Sequence, residues 1–555
     1  MGIKIKRKIL TSAFAATLTL TALIVWFISL FQTSPSNIND IGLMGALPIT
    51  FFVAFVLLTT SFLIALKCAN KNQALLLLQI LILVCFLSLT PTIVEGTRAR
   101  YSYPTYGFVD YIIRNGQLNP SLVYYHNWPG IIIVLSGLVN IGGISPLALI
   151  SSFPVVPELL YIVPVTLFSF LFIKNTEQRW MTIWSFFIIA WTGQDFLSPQ
   201  AFEFFVYLLV STVLIFEASS DKRRPTSRSF LVLISLLVFS VVMSHFLTAL
   251  MLVGIMGVLL VFKKLKRVNL LLLSTLIVVA WTIYGATAYF DSNVPSFLSQ
   301  AFKFNEIFSS SVSQRTTGSW GHILTVYDRL FFTAIAIGLA GVGFIFSWRT
   351  KKLNVTDKTV LIALTGVALF AFILPYGGEL YLRLLLFSSI LLAYFISKNL
   401  GSKKTFTLLI IFLLVAPFFH IVATYGDEKF DYIPPGELQG AHFFESHVPD
   451  AYVIAGAGGT TWVDYIGSYD HYASISLGDG NLSTTEAQAL MQRINSNKYW
   501  PIYLMFTSGD TAFLTLFDND TRFINQTQAQ IQNIPRYDLF YSNPNMQLYT
   551  YNPNK

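Results

Sequence analysis

Cysteine and charge are what this 555-residue sequence has least of. Its two cysteines, Cys68 and Cys85, lie at the end of one apolar run and inside the next with no CxxC spacing, so neither a disulfide framework nor a zinc site is implied. Only 12% of the residues are charged against 54% hydrophobic, which rules out a soluble globular chain. No complete G-x-G-x-x-G is present. The nearest approach, GAGG at 456–459, lacks the spacing of a nucleotide-binding loop. The net charge of +8 does not indicate nucleic acid, because the basic residues sit in short loops between apolar runs, where they act as a topology signal.

What the sequence has in abundance is long apolar runs. They recur near 9–31, 47–66, 73–91, 130–145, 158–173, 180–193, 200–216, 229–243, 246–262, 269–290, 330–348, 358–376, 380–397 and 405–424. An α-helical polytopic membrane protein of about 13 transmembrane helices is expected, since several runs fall short of the roughly 20 residues that a perpendicular span needs. The basic start MGIKIKRKIL precedes an apolar run longer than a signal-peptide core and reads as an uncleaved anchor.

Six basic stretches, Lys4–Lys8, Lys67 with Lys71, Lys222–Arg228, Lys263–Arg267, Arg349–Lys358 and Lys398–Lys404, should be cytoplasmic. That threading puts the N-terminus inside and the 92–129 loop, 194–200, His245, 291–329, 376–379 and everything after Tyr425 outside. Fourteen full crossings would return the tail to the inside, so one segment does not cross. Gly142, Gly143, Pro146, Pro154 and Pro157 single out 130–157. Residues 1–426 then form the membrane domain, and 427–555 form a small extracytoplasmic α/β domain. In that tail, 451–458 and 501–508 read as strands, 484–495 as a helix and 537–552 as a hairpin turning at Asn543–Asn545. Asn481, Asn519 and Asn525 head N-x-S/T sequons.

Five polar islands interrupt the apolar pattern, and the charge rule, which used none of them, puts all five on the outer face. The first is the loop VEGTRARYSYPTYGFVDYIIRNGQLNPSLVYYHNWPG, with Glu95, Arg98, Asp110, His126 and Trp128. Glu95, just past a span, suits a general base, and Asp110 lies on an amphipathic surface helix ending near Asn115–Gly116. Either carboxylate could instead be a loop residue paired with an arginine, and the aromatics an interfacial belt. The second island, GQDFLSPQ, offers Asp195 and a helix start at Ser198–Pro199 whose N–H groups suit a phosphate. The third is His245 in SHFLTAL. The fourth, YGGELYLRLLLF, sets Glu379 and Arg383 four residues apart on one helix face, with an intramembrane arginine fit to clamp a lipid-linked phosphate. The fifth, 291–329, carries Glu306, Arg315, His322, Asp328 and Arg329 and reads as a lid.

An acidic residue opening the first outer loop, a helix ending in RNGQL and an aromatic-proline entry (HNWPG) resemble the GT-C superfamily of integral membrane glycosyltransferases. Its members include protein O-mannosyltransferases, oligosaccharyltransferase catalytic subunits and lipid A aminoarabinose transferases. DFLSPQ, SHFLTAL and GGELYLR are similar to a little-characterised prokaryotic group with that fold, over roughly residues 73–400. The resemblance implies transfer of a sugar from a polyprenyl-phosphate-linked donor to an extracytoplasmic glycan, lipid or protein acceptor at the cell membrane. The base would be Glu95 first and Asp110 second, with Arg383, Glu379, His245, Asp195, Ser198, His126, Trp128 and Arg98 binding donor or substrate. The loop has no DxD or clean DE pair, a departure from the metal-using oligosaccharyltransferase pattern. No metal ligands are assigned, and the cofactor stays open with a divalent metal as one option. The alternatives are a lipid-linked glycan polymerase or ligase, and a non-enzymatic transporter or flippase of lipid-linked sugars.

Overall fold

The computed structural model describes residues 2–96, 98–122, 124–220, 228–291, 315–369, 380–448, 452–457, 472–476, 501–520 and 522–551, with 293, 303 and 309 singly. The chain is mostly helical, and each of the fourteen apolar runs lies in or around a helix. Eight helices among the described residues are long and apolar enough to cross a membrane. The N-terminal helices are pinned to one another by a buried polar knot: Gln79 Nε2 donates to Thr19 Oγ1 (2.9 Å) and Ser61 Oγ (2.8 Å). Inside an apolar bundle such bonds fix register, because lipid supplies no alternative partner.

The suspected segment is indeed short. Gly130–Asn140 has 11 residues, and at about 1.5 Å per residue it reaches little more than half of a hydrocarbon core roughly 30 Å thick. The next pair, Pro146–Ser152 and Val156–Phe172, is bent by 46°.

The third span does not end as a simple helix. A wide turn at Cys85–Leu89 precedes Thr90–Glu95, whose Pro91 has no N–H to give the carbonyl four residues back. That carbonyl, Leu87 O, accepts instead from Tyr425 Oη at 2.7 Å. The last span, Lys403–Tyr425, also serves the end of Thr176–Ile189: His420 Nδ1 meets Ile188 O at 2.8 Å, and Thr424 Oγ1 donates to Trp191 O at 3.0 Å. Three helix ends thereby converge on one face.

Above that face sits a small C-terminal sheet of order β2-β1-β3-β5-β4, with β1 Tyr452–Gly456, β2 Tyr472–Ser476, β3 Ile502–Thr507, β4 Tyr537–Asn543 and β5 Met546–Tyr551. The first three strands are parallel, and the predicted hairpin joins β3 antiparallel. The helix expected at 484–495 and the Asn481 sequon lie outside the described residues, whereas Asn519 and Asn525 are exposed.

The first loop differs from expectation. Ser102–Asn115 is a helix ended by Gly116 in the left-handed region, but it is no free surface helix. Tyr103, Tyr106, Phe108 and Val109 share a buried cluster with Ile131 and Ile132 below and Phe444, Tyr503 and Leu548 of the tail above. The loop aromatics, Trp128 included, are mostly core rather than an interfacial belt, because the tail covers the face that would have met headgroups.

Candidate functional site

Gly96, at φ 72°, ends the Thr90–Glu95 helix and folds the chain back. This return sets Arg98 Nε 3.7 Å from Glu95 Oε2, with both side chains buried. Arg98 grips Glu428 with two bonds, Nε to Oε1 (2.6 Å) and Nη2 to Oε2 (2.7 Å). It also donates Nη1 to Asp195 Oδ2 (2.7 Å), and its guanidinium lies 5.0 Å over the Tyr425 ring. Burial alone would weaken the Arg98 charge, but Glu428 and Asp195 reverse that and hold the guanidinium protonated. Neither Glu95 oxygen accepts a hydrogen bond among the described residues.

Asp431, one turn beyond Glu428, completes the cluster. Burial, then the Glu428 charge, push its carboxyl up to about 7, and its Oδ1 accepts no hydrogen bond among the described residues. The neighbouring Asp427 takes the opposite course. Burial opposes its charge, but Arg329 (2.9 Å) and His322 (2.8 Å) outweigh that and hold it below the usual carboxylate range.

A cavity of about 500 Å³ opens beside these groups, lined by Arg315, His322, Arg329, Tyr381, Asp427 and Asp431 among others. Its walls come from the lid island, the fourth island and the start of the tail. Tyr101 of the first loop completes them.

The second island links this cluster to another. Asp195 bonds Arg98, and Gln200 Oε1 accepts from Arg383 Nη1. Five residues separate Asp195 from Gln200, so their backbones lie within about 18 Å. Leu197 N between them donates to Ser102 Oγ of the loop (3.0 Å). Arg383 is also within electrostatic range of His245.

Several candidate residues have structural work. Ser198 caps Pro199–Ser219 by accepting from Ala201 N (3.3 Å), as its position beside a proline implies. His245 caps Phe246–Val261 through Thr248 N (3.3 Å). His126 is buried, accepts Asn119 N at Nδ1 (2.9 Å), and is held neutral by burial. Trp128 packs on Phe246, and Gly130 lies directly against Ser244, so HNWPG and SHF meet. Glu379 lies outside the described residues. Asp110 joins neither the cluster nor the cavity wall. It pairs with Arg114 at 2.7 Å on a partly exposed helix face, an arrangement worth only about 0.3–0.5 kcal/mol. The loop-residue reading fits it, and the role of second base does not.

Glu428 and Asp431 were not singled out from sequence. The signal was present in DEKFDY, three carboxylates within five residues directly after the last span. Among the described residues, no group of three or more His, Cys, Asp and Glu is arranged to hold a metal ion. The centre of the carboxylates is occupied by the Arg98 guanidinium.

No protein-family model and no curated protein matches the sequence. Solved structures do. ArnT from Cupriavidus metallidurans bound to undecaprenyl phosphate is similar at TM-score 0.51 and 10% identity, over 87% of this chain and 98% of that one. Its apo state scores 0.50 at 10% identity, over 88% and 99%. The apo oligosaccharyltransferase of Archaeoglobus fulgidus scores 0.50 at 11% identity, over 81% and 71%. At such identities the likeness is one of fold alone.

Proposed function

We propose that the protein is a membrane glycosyltransferase that moves a sugar from a polyprenyl-phosphate-linked donor to an acceptor outside the membrane. The observation that carries this is the cavity in which the ionisable carboxyl of Asp431 in the tail meets Arg315, His322 and Arg329 of the fifth island, beside Tyr381 of the fourth and Tyr101 of the first, on a fold similar to that of the GT-C enzymes. In the transfer, the acceptor oxygen bonds to the anomeric carbon as the bond from that carbon to the phosphate oxygen breaks. The acceptor's proton passes to a carboxylate and the electron pair leaves with the lipid phosphate. The proposed base is a carboxylate of the buried cluster, Asp431 at the cavity wall or Glu95 within reach of its charge, and burial makes Asp431 a stronger base than an ordinary carboxylate. Arg315, at the cavity wall, is the cation proposed to meet the departing phosphate, and Arg383, bonded to Gln200 outside that wall, is proposed to hold the donor phosphate. The charge rule puts this face outside the cytoplasm.

The test is transfer of labelled sugar from polyprenyl-phosphate donors in reconstituted membranes. Glu95→Gln and Asp431→Asn should each lower transfer at least 100-fold with donor binding retained, Arg383→Ala should weaken donor binding, and Asp110→Asn should stay near wild type. Donor binding without transfer to any acceptor would favour a recognition or transport protein instead.

A further inference from the structure

A second cavity, of about 470 Å³, lies between the C-terminal sheet and the strap that follows the last span. The strap serves both cavities: Phe430 and Asp431 line the first, Lys429 and Tyr432 the second. One thickness of chain therefore separates them.

The chemistry of the second wall is specific. Its polar groups are carboxamides and hydroxyls, among them Thr511, Asn525, Gln528 and Gln547, and among the described residues no carboxylate lines it. The one cation among its described lining residues, Lys429, is matched by Asp40 at 2.7 Å. The side-chain amides of Asn525 and Gln528, on the helix Phe523–Gln532, make no hydrogen bond with another described residue. Each carboxamide both donates and accepts, which suits hydroxyl groups that do the same, and Tyr432 supplies a carbon face with a polar tip. A phosphate or uronate would find no spare positive charge here, and an apolar ligand would strand the amides. The volume is that of a ligand pocket and exceeds one sugar ring.

We infer that this cavity is a binding subsite for a neutral oligosaccharide. Under the transferase reading, on which that role rests, it holds the remote sugars of a glycan whose reacting end lies across the strap.

Binding is measured without transfer, on the full-length protein in detergent. The probes are neutral tri- to pentasaccharides of glucose, mannose and N-acetylglucosamine, alongside uronate and sulfated counterparts. A neutral oligosaccharide should bind, and Asn525→Ala with Gln528→Ala should weaken it about tenfold, as the loss of two hydrogen bonds near 0.5–1.5 kcal/mol each implies. Thr511→Trp, which fills the cavity from an exposed position, should abolish binding. Binding of the charged saccharides alone, no binding at all, or neutral binding indifferent to both changes would overturn the subsite. Binding retained with no transfer from any donor would sink the transferase reading and leave the subsite standing. Transfer without oligosaccharide binding would do the reverse.

Discussion

Arg98 is the residue on which the outer face turns. It satisfies Glu428 through two bonds and Asp195 through its carboxylate and its main-chain carbonyl, all largely out of water. Removing one partner of a buried ion pair costs about 3–5 kcal/mol, because the stranded charge is worth more than the pair itself. Arg98→Met should therefore lower unfolding stability in detergent by about that amount. Arg98→Lys should recover part of the loss, since an ammonium keeps the charge without the planar fork.

Asp431 gives a pH signature. Its carboxyl titrates near 7 in the folded chain against an ordinary 3.8, so between those values the folded state holds the extra proton. The stability it contributes is complete below about pH 4 and is lost as pH rises through 7. Under the proposed transfer, with Asp431 as base, activity runs the other way, because the base must be ionised: kcat/KM should rise with pH and level off above about 7. Asp431→Asn should flatten the stability slope and remove that limb from whatever activity remains.

At the scale of elements, the loop is held by a clasp on the far side of the same return. Arg100 is fully buried, donates to Phe430 O (2.6 Å) and Tyr432 O (3.0 Å), and pairs with Glu437. Glu437 Oε2 in turn accepts Gly509 N (3.3 Å) at the start of Ser508–Phe513. A Cβ at Gly509 would fall well inside van der Waals contact distance of the Arg100 guanidinium carbon. Gly509→Ala should thus cost about 1–3 kcal/mol by overpacking and should raise hydrogen exchange across 98–109. Unchanged exchange there would mean that the clasp does not hold the loop.

That clasp also marks what was legible beforehand. Glu95, Arg98, Asp195 and Arg383 could be picked out because each is a charge beside an apolar run, where a charge needs a reason. Their partners could not. Glu428 lies 330 residues from Arg98, in a stretch whose local pattern matches any solvated tail. The burial that distinguishes it arises only when the tail docks on the loop. Asp110 shows the complementary limit: its i, i+4 partner Arg114 is visible in sequence, but nothing local tells a surface pair from a catalytic base. The spans and the hairpin were readable because periodicity and turn residues are local properties.

For the whole molecule, the bonds of Arg98 and Arg100 to Glu428 and Glu437 require the first loop and the tail to share one side of the membrane. The basic loops demand one crossing fewer than fourteen if that side is to be the outside, and the 11-residue helix Gly130–Asn140 is the segment proposed not to cross. The near absence of cysteine makes this testable. Cys68 and Cys85 are only partly buried, so Cys68→Ser with Cys85→Ala should give a folded cysteine-free background. Single cysteines at Ser36, Lys352 and Gln530 occupy exposed positions in the first connection, a basic loop and the tail. In intact cells a membrane-impermeant thiol reagent should label Ser36→Cys and Gln530→Cys and spare Lys352→Cys until the cells are permeabilised. The inverse pattern would place the carboxylate cluster in the cytoplasm, where a polyprenyl-linked sugar awaiting an external acceptor would not meet it. Labelling of Gln530→Cys and Lys352→Cys together in intact cells would mean that the helix Trp320–Arg349 or its partners do not cross as their length and hydropathy require.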